Sequence, residues 1–256
     1  MKYTIKLKNE KDITILRESG RRLATVLQAV AKEAKPGVTT GYLNDFVYKM
    51  ITDMGDKPAF LNYKPFGASY AYPGSICISV NDEVVHGIGG DRILKEGDIV
   101  GLDGGVTHKG MISDSAITVA VGAISKEDED LMRVTKEALM AGINAAVCGN
   151  YVNDISKAIE KAVPKKYGIV KILSGHGVGY KVHEEPYVPN FDDGVKGPKL
   201  VPGLVLAIEP MVNLGTDEVY LEDDGYTFTT KDHKKSAHFE HTILITEGKP
   251  EILTKI

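Results

Sequence analysis

The hydrophobic pattern of this chain runs through one order twice: two amphipathic helices, then a series of short strands. Ile13, Leu16, Leu23, Leu27 and Val30 fall near helical spacing, and Pro36-Gly37 stops the run. Thr39-Thr40 then caps a second helix whose stripe is Leu43, Phe46, Val47, Met50, Ile51 and Met54, closed by Gly55. A Met/Phe stripe at this spacing is core packing. Strand text follows in CISV, VVHGI, DIVGLDGGV and MISDSAITVAVG. The order then restarts. Ser125 opens a helix with a capping-box-like SKED, and Val152–Ala162 gives another, ended by Pro164. Strand text returns in GIVKIL, GLVLAIEPMVN, EVYL, GYTFTT and FEHTILIT, with Asp224-Gly225 as a turn signal. No Pro/Gly/Ser linker separates the halves, about 12–121 and 125–246, so one α+β domain over residues 1–256 is expected.

Composition narrows the class. The chain has 256 residues, 43% of them apolar, enough to bury a core without staples. A net charge of −4 argues against a nucleic-acid site, and two cysteines, Cys77 and Cys148, argue for a reducing compartment. No secretory signal and no apolar run of about 18 residues is read, so a cytoplasmic protein without a membrane span is expected.

The chemistry concentrates in acids embedded in strand text. A two-residue turn at His108-Lys109 would set Asp103 opposite Asp114, with Cβ atoms about 4.5–5.5 Å apart. Two such charges repel by about 3 kcal/mol at an effective dielectric near 20, so a cation, a shared proton or an arginine is required between them. In SGHGVGYKVHEEP, glycines around His176 suggest a loop approached closely by something else; a hydrogen-bonding histidine and a ligand are both open readings for His176 and His183. Glu209 and Glu240 lie among Leu, Ile, Val, Ala and Phe. A buried salt bridge would explain either one, but the strand text offers almost no Lys or Arg to serve several. Asp103, Asp114, His176, Glu209 and Glu240 together are a donor set that two divalent ions would balance, suited to Mn, Fe, Co or Mg-like ions, with zinc open. The segment 57–75 is rich in aromatics, with Tyr63, Phe66, Tyr70 and Tyr72, and reads as the lip of an apolar pocket or as a packed surface loop. Cys77 reads as a small buried hydrophobe, His108 and His233 as solvated turn residues, and His238 and His241 as supporting or packing residues beside Glu240.

NDEVVHGI, GLDGGV…SDSA, SGHGVGYKVHEEP, AIEPMVN and SAHFEHTILIT, in this order and spacing, closely resemble the type I methionine aminopeptidases over about residues 10–250. The resemblance implies their "pita-bread" α+β fold, two pseudo-symmetric halves around a curved antiparallel sheet. It implies two divalent ions, drawn from Co, Mn, Fe, Ni or Zn. Asp103 would chelate one, Asp114 and Glu240 would bridge both, and His176 and Glu209 would complete the other. Glu209 would also be the general base, His183 would stabilise the tetrahedral intermediate, and His86 would contact substrate near the scissile amide. The substrates would be N-terminal Met peptides and nascent chains, met at the ribosome, for a monomeric enzyme. Tyr72 and Cys77 match the methionine pocket, whereas Val182 stands where a Phe is usual and Tyr226 where a Trp is usual; the Phe66–Tyr70 segment has no fixed counterpart. No zinc-finger extension precedes the domain, which fits the short form. An X-Pro peptidase of the same fold, or a non-catalytic relative used for binding, are the alternatives.

Overall fold

Four helices flank short antiparallel sheets in the computed structural model, which describes residues 3–65 and 67–256; Phe66 lies outside the described residues. Helix α1 (Glu10–Glu33) starts three residues before the apolar periodicity does. The reason is its cap: Asn9 accepts from the amides of Lys11 and Asp12 while Asp12 reaches back to the Asn9 amide, and these polar residues carry no periodic signal. Helix α2 (Thr40–Asp53) is capped by Thr39, α3 (Lys126–Ala145) by a Ser125–Asp128 capping box, and α4 (Val152–Ala162) has the bounds its pattern predicts. Against α1 and α2 packs one apolar cluster, including Leu23, Leu43, Ile51, Ile78 and Leu102. Against α3 and α4 packs another, including Leu131, Leu139, Ile155, Leu206 and Ile243, and Ile117 touches both.

The hairpin Ile99–His108/Met111–Ala120 corrects the expected register. Its turn is Lys109-Gly110, both at positive φ (46° and 83°), and His108 closes the ladder against Met111. A two-residue hairpin turn of this hand needs positive φ at both centres, which glycine supplies freely and a His-Lys pair does not. The ladder therefore shifts by two residues: Asp103 faces Ala116 and Asp114 faces Gly105. The aspartates share a face as diagonal neighbours instead of standing directly opposite. His108 is accordingly no solvated turn residue. It is buried, with Nδ1 2.7 Å from Asp56 Oδ1.

The strand Met111–Ala120 also joins the halves. Asp114 N donates to Thr242 Oγ1 at 2.9 Å, Thr242 Oγ1 donates back to Asp114 O at 2.6 Å, and Glu240 N donates to Ala116 O at 2.9 Å. Further along, Thr118 Oγ1 donates to His238 O at 2.7 Å.

His176 departs from the loop expectation. It lies on Ser174–Gly177, a strand inside a five-stranded antiparallel sheet, between Glu184–Pro189 and Val205–Ile208. The flanking glycines serve close strand packing: a Cβ on Gly175 would sit 2.4 Å from Ala207 O, and one on Gly177 2.5 Å from Glu185 O. Gly175→Ala should therefore lower stability by about 1–3 kcal/mol, read as a lower urea midpoint at unchanged slope. A midpoint equal to that of the parent would show that the sheet yields at no cost.

Candidate metal and peptide site

Glu209 and Glu240 sit at breaks between strands, not inside them. Val205–Ile208 pairs with His241–Leu244, and Met211–Asn213 pairs with Ser236–His238. Both ladders keep one register, which assigns Glu209 and Glu240 opposed positions across the gap. Pro210 accounts for the gap, because it has no N–H to donate to a ladder. The break keeps two carboxylates at the centre of an apolar sheet while the chain on either side stays paired.

Asp103, Asp114, His176, Glu209 and Glu240 line one cavity of about 130 Å³, together with His86, His183, Phe60, Tyr63, Pro65, Tyr72, Cys77, Val182 and Tyr226. His176 Nδ1 donates to Gly177 O at 2.9 Å, which turns the Nε2 lone pair toward the acids. That Nε2 is 3.3 Å from Glu209 Oε1 and 4.0 Å from Asp114 Oδ2. The other side of Glu240 meets His238, whose Nε2 is 4.0 Å from Oε2. His86 follows the strand Glu83–Val85 in the left-handed region, at φ 62°, outside the ladder its text suggested. His183 stacks edge-on to His176, ring centres 4.4 Å apart, and Tyr63 OH lies 2.8 Å from its Nδ1.

Among the described residues, no Lys or Arg lines the cavity. Burial raises Asp103 to about 7, and raises Asp114, Glu209 and Glu240 well above the carboxylate range, with neighbouring acids adding to the shift in those three. Burial likewise drops His176 to about 3 and His86 to about 4, so both rings are neutral ligands or acceptors near neutral pH. Oδ1 of Asp103, Oδ1 of Asp114 and Oε1 of Glu240 are buried without a hydrogen-bond partner. Asp114, His176 and Glu240 each offer a donor atom within 4.8 Å of the others. Orphaned carboxylate oxygens, a neutral imidazole and no protein cation fit a divalent ion bound by oxygen and nitrogen.

The apolar end of the cavity is closed by Phe60, Tyr72, Cys77, Val182 and Tyr226. Cys77 faces Asp103 across the ladder, so the register itself joins the apolar wall to the acids. Its thiol is buried and raised well above its usual range, mainly by burial and then by the Asp103 charge, which keeps it a small hydrophobe. Tyr72 OH donates to Gly87 O at 2.8 Å, and the Tyr226 ring packs edge-on against Tyr72 at 5.1 Å. Tyr63 takes the pocket-lip place that the aromatic segment 57–75 suggests, and Phe60 and Pro65 of the same segment join it.

These features define a centre fit to bind a divalent metal ion, its acids opening onto an apolar pocket. The profile of metallopeptidase family M24 matches residues 14–247, and the chain belongs to that family. It is 47% identical to a methionine aminopeptidase of Aquifex aeolicus, over 98% of this chain and 99% of that protein. Its fold is similar to a crystal structure of methionine aminopeptidase from Rickettsia prowazekii, with TM-score 0.93, 38% identity, and 98% and 100% of the two chains covered. Prolidase from Pyrococcus furiosus shares the fold at 21% identity and TM-score 0.76, matched over 98% of this chain but 65% of that one. Among the described residues, no helix is long and apolar enough to cross a membrane.

Proposed function

We propose that this chain removes the N-terminal methionine from peptides and nascent proteins, using two divalent ions held by Asp103, Asp114, His176, Glu209 and Glu240. The observation that carries this reading is the closed pocket of Phe60, Tyr72, Cys77, Val182 and Tyr226 ending on the acids. A first residue whose side chain fills that pocket places its α-amine and first carbonyl at the acids. The free α-amine, set at the acids, would be held by a metal ion, which restricts the cut to the first residue. Val182 and Tyr226 leave the wall apolar, as a methionine side chain requires.

When bound, the ions polarise the scissile carbonyl and lower the pKa of water. Glu209 is the least enclosed of the four acids, with 14% of its side chain exposed, and takes up the water proton at its carboxylate and passes it to the leaving amine. Tyr63 OH occupies His183 Nδ1, leaving Nε2–H to donate to the carbonyl oxygen as charge develops there. His86, neutral beside it, meets the scissile amide. The activity belongs in the cytoplasm, on chains emerging from the ribosome, with the enzyme acting as a monomer.

The Met-Ala-Ser peptide, incubated with manganese- or cobalt-loaded protein, should release free methionine faster than X-Pro peptides are cut. Faster X-Pro cleavage would make the chain an X-Pro peptidase, and peptide binding without cleavage would make it a binding protein. His183→Ala should lower kcat by about 10²-fold with metal content unchanged, since this residue meets substrate and not the ions. Loss of bound metal in that variant, by elemental analysis, would show that His183 is a ligand.

A further inference from the structure

Val182 and His183 occupy the tip of a turn, residues 178–184, between the strands Ser174–Gly177 and Glu184–Pro189. Both side chains line the cavity. Ile112 N donates to Gly179 O at 2.7 Å and Tyr63 OH meets His183 Nδ1 at 2.8 Å, and the Glu184 carboxylate adds a third hold on the turn. Glu184 Oε1 accepts from the amides of Tyr180 and Lys181 at 2.5 and 2.9 Å, folding the turn onto itself. Its other oxygen, Oε2, is 2.7 Å from Lys8 Nζ.

Lys8 is an unusual lysine. Its side chain is 1% exposed and that of Glu184 9%. The ammonium also donates to Lys6 O at 3.2 Å and lies 4.9 Å from the centre of the Tyr180 ring. Its backbone amide donates to Gly203 O at 2.8 Å, tying the segment before α1 to the second half. Tyr180 in turn donates its hydroxyl to Asp12 Oδ2 at 2.5 Å, in the first turn of α1. Burying an ammonium is costly unless it is paired, and an apolar pair would serve stability as well. The pair has a geometric consequence: the N-terminal segment grips the residue that shapes the turn carrying Val182 and His183.

We propose that Lys8 is a positioning residue, which through Glu184 fixes the 178–184 turn and so sets His183 and Val182 against the bound N-terminal residue. This rests on the aminopeptidase reading for its kinetic consequence, though not for its structural one. Lys8 touches no substrate, and its effect passes through His183. Lys8→Met keeps most of the stem and removes the charge. Glu184→Gln keeps an oxygen for the two turn amides and weakens only the grip of Lys8, so it serves if Lys8→Met does not fold.

The kinetic arm is a double-mutant cycle on Met-Ala-Ser with manganese-loaded protein. Lys8→Met should lower kcat by about tenfold at unchanged metal content in the parent, and by less than about twofold in a His183→Ala background. The same loss in both backgrounds, or no loss in the parent, overturns the proposal. The structural arm is amide hydrogen exchange, which needs no activity. Either variant should speed exchange at residues 178–184 by at least about tenfold while the strand Ile99–His108 stays protected. Unchanged exchange at the turn overturns the proposal even if the parent enzyme is fully active. A parent that releases no methionine, with the turn loosened as expected, instead refutes the activity and leaves the grip in place.

Discussion

Glu209→Ala should lower kcat/KM on a Met-Ala-Ser peptide by at least about 10³-fold and reduce the bound metal, with the fold intact. Two roles meet at this carboxylate on the present reading, and each has its own size. A general base contributes about 10²–10⁴-fold, and loss of a ligand removes metal catalysis in addition. His176→Ala should do comparable damage through metal loss alone, because Nε2 is the neutral nitrogen donor of the cluster and lies 3.3 Å from Glu209 Oε1. Glu209→Gln separates the roles. The amide oxygen can still approach an ion but cannot take a proton, so activity should fall while much of the metal stays. Elemental analysis beside the rate measurement makes the distinction. A near-native rate in either alanine variant would sink the two-metal assignment. Stability is not the expected cause of any loss, because removing a buried carboxyl held well above its usual pKa relieves a strained group.

How the sequence announces this site, and where it misleads, follows from which forces are local. The helices were legible because capping and periodicity are written in neighbouring residues: Ser125 with Asp128, Thr39 at the start of α2, Pro164 after α4. The acids were legible because a carboxylate inside apolar strand text is costly wherever that strand ends up. Register was not. His108-Lys109 and Lys109-Gly110 differ by one residue, yet that choice moves Asp103 from facing Asp114 to facing Ala116. His176 was misplaced for a related reason. Glycines read as loop text, but here they answer to strand neighbours, Ala207 across the sheet and Glu185 on the returning strand, a pairing the local text does not show. Glu209 and Glu240 read as strand interiors because the apolar residues on both sides of each outweigh the single breaker, Pro210. Tyr63 was visible only as one aromatic among several, since its bond to His183 spans 120 residues.

The metal-free protein should lose stability as pH rises from about 6.5 to 8.5, and divalent ions should abolish that loss. The carboxyls of Asp114, Glu209 and Glu240 are raised well above their usual range, and that of Asp103 to about 7, first by burial. A group raised in the fold contributes stability that is complete below its unfolded pKa, about 4 for these acids, and that is lost as pH climbs through the folded value. The buried histidines run the opposite way. His176 and His238 are lowered to about 3 and His86 to about 4, so their contribution is present above an unfolded pKa of about 6.5 and fades as pH falls. Below about 6.5 the two trends oppose each other; above it the histidines are neutral in both states and the acids act alone. The limiting slope is about 1.4 kcal/mol per pH unit for each carboxyl that the fold keeps protonated, large against a typical total of about 5–15 kcal/mol. An ion takes the place of those protons and needs the acids ionised, so its binding strengthens over the same interval. Melting curves of chelator-treated protein should therefore fall steadily with pH across this window, while those of manganese-loaded protein stay level or rise. Parallel curves would mean that the acids are neutralised by something other than metal, and the donor set would have to be reassigned.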